Sequence, residues 1–192
     1  MTARVALTCL AGFVVAVLAQ HLLAPELTPD IHTISEYVNA DAGPLMVGGF
    51  VAWAASMAAT ALLVRRGARL VAWLLAVAAV GILLTACFAT QTSAGVLPPG
   101  TERTTAGRVH DLASGIATLA LLGALVTTAL RGGWAAWFRG LSHGVLAVAV
   151  IASAVLLAIG DPVDGIRQRV LVAAACVWQA ALVAAAARKR AV

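Results

Sequence analysis

Six long apolar stretches, at about 5–23, 43–64, 70–90, 109–130, 141–159 and 168–187, leave this chain few folds to choose from. Each approaches the roughly 20 residues that a helix needs to cross the hydrocarbon core of a bilayer. Charged residues are confined to the breaks. Inside hydrocarbon every backbone polar group must be bonded within the protein, and a helix does this within one segment. A membrane-spanning strand would be short and would alternate apolar with polar residues; nothing in this sequence alternates. The expected fold class is all-α: a polytopic membrane protein with a six-transmembrane-helix bundle, forming a single transmembrane domain over residues 1–192. The 11% of charged residues supports this, because soluble domains carry about 25%.

The first stretch has a competing explanation. Arg4 gives it a short basic start, and Val17, Leu18 and Ala19 resemble the small-residue cleavage site of a signal peptide. The apolar run continues to Leu23, longer than a usual signal core, which favours a retained span.

The charges predict orientation. Arg4, Arg65, Arg66, Arg69, Arg131, Arg139, Arg188, Lys189 and Arg190 fall at the termini or at alternate breaks. All eight acidic residues fall at the other breaks, joined only by Arg103, Arg108, Arg167 and Arg169. By the positive-inside rule the first face is cytoplasmic, and both termini lie on it. Abundant alanine and arginine with a single lysine suggest a GC-rich bacterial genome, hence a multi-pass protein of the plasma membrane. The basic residues sit at helix ends, without a stripe of interleaved aromatics, so nucleic acid is excluded as a partner. Cys9, Cys87 and Cys176 lack metal-like spacing.

The inner break 131–140 holds Trp134, Trp137 and Phe138, which suit the headgroup region. Small residues offer close helix contacts at Gly48, Gly49, Ala52, Ser56 and Thr60 in span two, and at Ser114, Gly115, Thr118 and Gly123 in span four. Trp178 and Gln179 are the main large polar-capable groups at mid-bilayer, where packing with a hydrogen bond between helices accounts for them.

The outer breaks are longer. Residues 24–42 cluster Asp30, His32, Ser35, Glu36, Tyr37, Asn39 and Asp41. Ile31, Ile34 and Val38 recur at helical spacing, which predicts a short amphipathic helix lying on the bundle. Residues 91–108 carry Pro98, Pro99 and Gly100 and read as a plain excursion. Three segments thus bring reactive side chains to one face. The first loop supplies His32, Ser35, Glu36 and Tyr37, the start of span four Arg108, His110 and Asp111, and the start of span six Asp161, Asp164, Arg167, Gln168 and Arg169. Gln20 and His21 end span one on the same side.

Ionisable groups at span edges are costly unless paired. The plainest expectation is that Arg108 pairs with Asp111 and Arg167 with Asp164, each at i,i+3, stapling loops to helix ends. Three functional readings compete with it. In the first, Arg108, Arg167 and Arg169, with Tyr37 and Gln168, bind a lipid or amphiphile head group bearing a phosphate or carboxylate. In the second, His32, Ser35, Glu36, His110 and Asp111 form the centre of a membrane-embedded hydrolase or cyclase. His32 and Glu36 at i,i+4, with His110, would hold a metal, and Ser35 or a metal-bound water would attack. In the third, the carboxylates serve a proton-coupled carrier, which is weak because no acidic residue lies deep in a span. An accessory subunit without a ligand is a further alternative. No motif identifies a cofactor. Haem does not fit, because His110 and His143 fall at opposite ends of their spans.

Three short segments carry a family resemblance. They are Ile34 to Tyr37 after span one, His110 at the opening of span four, and Gly165 to Arg169 at the opening of span six. With them the whole chain resembles bacterial and archaeal integral membrane proteins known as domain of unknown function 998. Members often show a Phe-Pro-x-Asp-like stretch after span three; Phe88 to Gln91 departs from it. The resemblance implies six spans and no assigned activity. A looser likeness to eukaryotic six-span, lipid-associated membrane proteins favours lipid handling, by analogy.

Overall fold

The computed structural model describes residues 1–159 and 164–189. Six helices are long and apolar enough to cross a membrane. They are α1 (Thr2–Leu23), α2 (Gly43–Val64), α3 (Arg69–Cys87), α4 (Thr105–Leu130), α5 (Ala136–Ile159) and α6 (Asp164–Lys189). The described residues contain no β-strand; a single isolated bridge joins Ser93 and Val96. The chain is therefore an all-α, multi-pass membrane protein.

Helices α4, α5 and α6 begin a turn or so before their apolar stretches. The first turns of α4 and α6 carry Thr105 and Arg108, and Asp164 and Arg167, and that of α5 carries Arg139, so hydropathy alone starts them late. Thr104 caps α4 by accepting from the Gly107 N–H at 3.2 Å. Pro44 sits in the first turn of α2, where its missing N–H costs nothing.

Helices α1 to α4 pack in sequence, each on the next. Small residues allow the approach. A Cβ added at Gly49 would lie 2.8 Å from the Ala16 Cβ, and Ser56 Oγ donates to the Ala6 carbonyl at 2.6 Å. Gly81 brings α3 onto α4 so closely that a Cβ there would lie 2.7 Å from the Ala113 carbonyl oxygen. Of the span-four seam expected at Ser114, Gly115, Thr118 and Gly123, Gly123 does meet α3, an added Cβ lying 3.5 Å from the Leu74 methyls, but Gly115 has open space beside it and is not at the contact. Ala113 and Ala117 do that work instead.

A buried polar cluster ties α6 to α2 at mid-bilayer. Trp53 Nε1 donates to Gln179 Oε1 at 3.1 Å, and Gln179 Nε2 donates to Ser56 Oγ at 2.8 Å. Trp178 Nε1 donates to Thr128 Oγ1 at 3.1 Å. Each large polar group expected to bond across helices does so.

At the end of the bundle where α6 finishes, Arg188 lies over the Trp137 ring at 5.6 Å and Lys189 over Trp134 at 5.9 Å. Phe138 is not open to its surroundings at this end. It is fully buried between Trp134 and Trp137. Over its described Ala136–Ala154 stretch helix α5 is the least covered, with 17% buried against 61% for α2. It packs on α4 and α6.

Candidate functional site

The first outer loop folds onto the bundle as expected, but its helical segment is a short 3-10 helix, Ile34–Asn39. The difference matters for chemistry. His32 precedes this helix and its N-cap Thr33, so it shares no helix face with Glu36. His32 Nδ1 sits 3.4 Å from Thr28 Oγ1, while the Glu36 carboxylate reaches the other outer loop. No group of three His, Cys, Asp or Glu side chains that could hold a metal occurs among the described residues. The His32, Glu36 and His110 ligand set is not assembled.

Glu36 is buried, with 3% exposure, and fully engaged. Its Oε1 accepts from the Gly95 N–H at 2.9 Å and from the hydroxyls of Thr33 and Thr92. Its Oε2 accepts from the Ala94 N–H at 2.9 Å. Ala94 and Gly95 have φ of 53° and 76°. Successive N–H groups in such a turn form a nest for an anion, and here Glu36 fills it. The second outer loop is therefore not a plain excursion. Asn39 Nδ2 also donates to the Thr90 carbonyl at 3.0 Å, and Gln91 Oε1 accepts from the Thr104 N–H at 2.7 Å.

The segment opening α6 grips the same loop. A Cβ at Gly165 would lie 2.5 Å from the Pro29 carbonyl oxygen and 2.6 Å from that of His32. Only a glycine lets α6 approach this far. Gln168 Oε1 accepts from the Ile34 N–H. Arg169 donates through Nε to His21 Nε2 at 3.0 Å, through Nη1 to the carbonyls of His32 at 2.6 Å and Gly165 at 3.1 Å, and through Nη2 to Tyr37 Oη at 2.9 Å. That uses four of the five N–H groups of a guanidinium. His21 Nδ1 donates to the Val17 carbonyl at 2.7 Å, so the Nδ1–H tautomer satisfies both contacts. Tyr37 is fully buried and donates to the Leu27 carbonyl at 3.2 Å. The Ile34–Tyr37 and Gly165–Arg169 segments thus bond directly to each other.

His110 is buried in the first turns of α4. Its Nδ1 donates to the Phe88 carbonyl at 2.7 Å, tying α4 to the end of α3. That bond leaves Nε2 carrying the lone pair of the neutral ring.

Two compartments meet beside it. The inner one, about 430 Å³, is walled mainly by apolar side chains, among them Phe13, Trp53, Leu121, Leu125, Ala149, Val172 and Trp178. The outer one, about 310 Å³, is polar and lined by Thr33, Thr90, Thr92, Gly95, Asp111, Asp164 and Arg167 among others. Ser35, His110, Ser114, Gln168 and Leu171 line both.

Of the sequence candidates, Ser35, His110, Asp111, Arg167 and Gln168 therefore converge on these cavities. His32, Glu36, Tyr37, Arg108 and Arg169 line neither. Arg108 is exposed, and its side chain makes no hydrogen bond or ion pair among the described residues. Asp111 pairs with Arg103 rather than Arg108, whereas Arg167 pairs with Asp164 as expected. Asp161 lies outside the described residues. Ser35 Oγ is 3.1 Å from Thr33 Oγ1, and Ser114 Oγ donates to the Asp111 carbonyl at 3.0 Å. Neither serine bonds to His110. Sequence reasoning missed Ser114 as a site residue and Thr33, Thr90 and Thr92 altogether. Ser114 was accessible, since it follows His110 by one helical turn. Thr90 and Thr92 were not, because only the Glu36 nest places their loop.

The fold and the cavities define a class: a polytopic helical membrane protein with a polar chamber at one end of its bundle and an apolar one within it, the two sharing wall residues. The chain belongs to the family described as Protein of unknown function (DUF998), which it matches over residues 7–185. No curated protein and no solved structure matches it.

Proposed function

We propose that this protein binds one amphiphilic molecule, a membrane lipid or a relative of one, with its head group in the outer chamber and its chain in the inner one. The observation that carries this reading is the shared wall. Ser35, His110, Ser114 and Gln168 line both a polar chamber and an apolar one. Binding sites commonly combine apolar walls with a few placed polar groups in volumes of about 300–1,000 Å³. From His110 to Leu125 the wall on α4 runs for about 22 Å at the helical rise per residue, a length suited to an extended acyl chain. Thr118 on α4 and Val150 on α5 line the inner chamber and are both exposed. A chain therefore reaches the chamber sideways, between α4 and α5, from the surrounding hydrocarbon. The positive-inside asymmetry supports an extracytoplasmic position for the outer chamber.

The test fills the inner chamber. Ala149 is buried on α5 and lines it. Wild type purified in mild detergent is expected to carry a lipid detectable by native mass spectrometry, and Ala149→Phe to lose it while keeping its helical content. Absence of bound lipid from both proteins would favour a ligand-free accessory subunit. A hydrolytic role would instead appear as product release from an added lipid ester that is abolished in His110→Ala.

A further inference from the structure

Resting on the amphiphile reading, we propose that the head group this site takes is uncharged and hydroxyl-bearing, such as the glycerol or single sugar of a neutral lipid, and that anionic phospholipids are rejected. The observation is a charge balance. The outer chamber is lined by Asp111, Asp164 and Arg167. Asp111 is paired with Arg103 and Asp164 with Arg167, so each carboxylate has its own guanidinium. No cation is left over for a phosphate among the described residues lining this chamber. The other two outer arginines do not supply one. Arg108 lines neither chamber, and Arg169 spends four N–H groups on His21, His32, Gly165 and Tyr37.

The remaining wall matches a polyol better than a phosphate. The hydroxyl hydrogens of Thr33, Thr92 and Ser114 are donated to Glu36 and to the Asp111 carbonyl, and those of Ser35 and Thr90 to the Thr33 and Thr92 oxygens, so these five groups offer lone pairs to a ligand. Gln168 accepts from Ile34 through Oε1, and its Nε2 donates to no described residue. The two carboxylates accept only. A sugar or glycerol hydroxyl donates and accepts in turn, so it satisfies all three kinds of wall group. A phosphodiester accepts only, so it would meet a wall of acceptors and two carboxylates whose guanidinium partners are already engaged, with no free cation among the described wall residues to balance its charge.

The experiment offers the full-length protein, in detergent, an equimolar mixture of monoglucosyl diacylglycerol and phosphatidylglycerol with identical acyl chains. Native mass spectrometry reads the retained ratio. Wild type is expected to keep the glucosyl lipid by about tenfold, the equivalent of roughly 1.4 kcal/mol of discrimination. Asp164→Asn frees the Arg167 charge and is expected to move the ratio at least tenfold toward phosphatidylglycerol. Arg167→Gln, which removes the cation, is expected to keep or deepen the rejection, and stands alone if the first variant fails to fold. Equal retention, or preference for phosphatidylglycerol in wild type, overturns this proposal and leaves the amphiphile reading intact. Retention of neither lipid, with Ala149→Phe indistinguishable from wild type, removes both.

Discussion

The Arg169 guanidinium donates a hydrogen bond to the Tyr37 hydroxyl at 2.9 Å and lies 5.5 Å from the centre of the same ring. One side chain near the start of α6 thereby fixes a residue of the loop between α1 and α2. This fork and stack are features lysine does not reproduce. Arg169→Lys is expected to lower stability by about 2–4 kcal/mol, since charge-assisted bonds contribute roughly 1.5–3 kcal/mol each and lysine keeps some of them. Arg108→Lys, at an exposed side chain, is expected to stay within about 0.5 kcal/mol of wild type. Thermal unfolding of the two variants in the same detergent checks the contrast. Equal losses would mean that Arg169 is not the staple.

Gly165 permits the contact that Arg169 then secures. A Cβ there meets three backbone carbonyl oxygens, of Pro29, Asp30 and His32, at 2.5–2.8 Å. Backbone yields less readily than a flexible side chain. Gly165→Ala is expected to cost about 1–3 kcal/mol, the usual range for overpacking. It should also weaken the Ile166 N–H bond to the Asp30 carbonyl, now 3.1 Å. Faster hydrogen exchange at Ile166 is the readout; unchanged exchange would show that the loop moves aside freely.

The nest around Glu36 makes a separate prediction. In Glu36→Gln the new amide group must face a backbone N–H, of Ala94 or of Gly95, in place of an acceptor oxygen. Leaving a buried donor unmatched costs roughly 1–3 kcal/mol. The Ala94 and Gly95 amides are expected to exchange slowly in wild type and quickly in the variant, while the Pro98–Gly100 region exchanges quickly in both. Slow exchange in both proteins would mean that the loop holds itself.

Orientation is tested by labelling. In a background without native cysteines, single cysteines at Ala40 and Thr104 are expected to react with an impermeant thiol reagent in intact cells. A cysteine at Ala68 is expected to stay unlabelled. Labelling at Ala68 alone would invert the orientation read from the charges.

The six helices were legible because hydropathy and the bilayer's length requirement act on each segment separately. The site was only half legible. Ser35, His110, Asp111, Arg167 and Gln168 reach the chambers, but Glu36, Tyr37 and Arg169, of equally reactive type, are spent holding the loops in place. Sequence places these residues on one face and does not show which of them bond to one another. The i,i+4 spacing of His32 and Glu36 suggested shared ligation only while an α-helix was assumed there. A 3-10 helix that begins after His32 removes that geometry. Arg103 took the place of Arg108 beside Asp111 because the second loop folds back, an outcome set by Glu36 from another segment.

The sparsely covered α5 has a consequence for how such a site would be supplied. A chamber open sideways to hydrocarbon samples the leaflet, not the aqueous phase. Its occupancy would follow the mole fraction of the ligand among neighbouring lipids and would ignore dilution of the sample. Two membranes with the same total amount of ligand, one rich in other lipids and one poor, would load the protein differently.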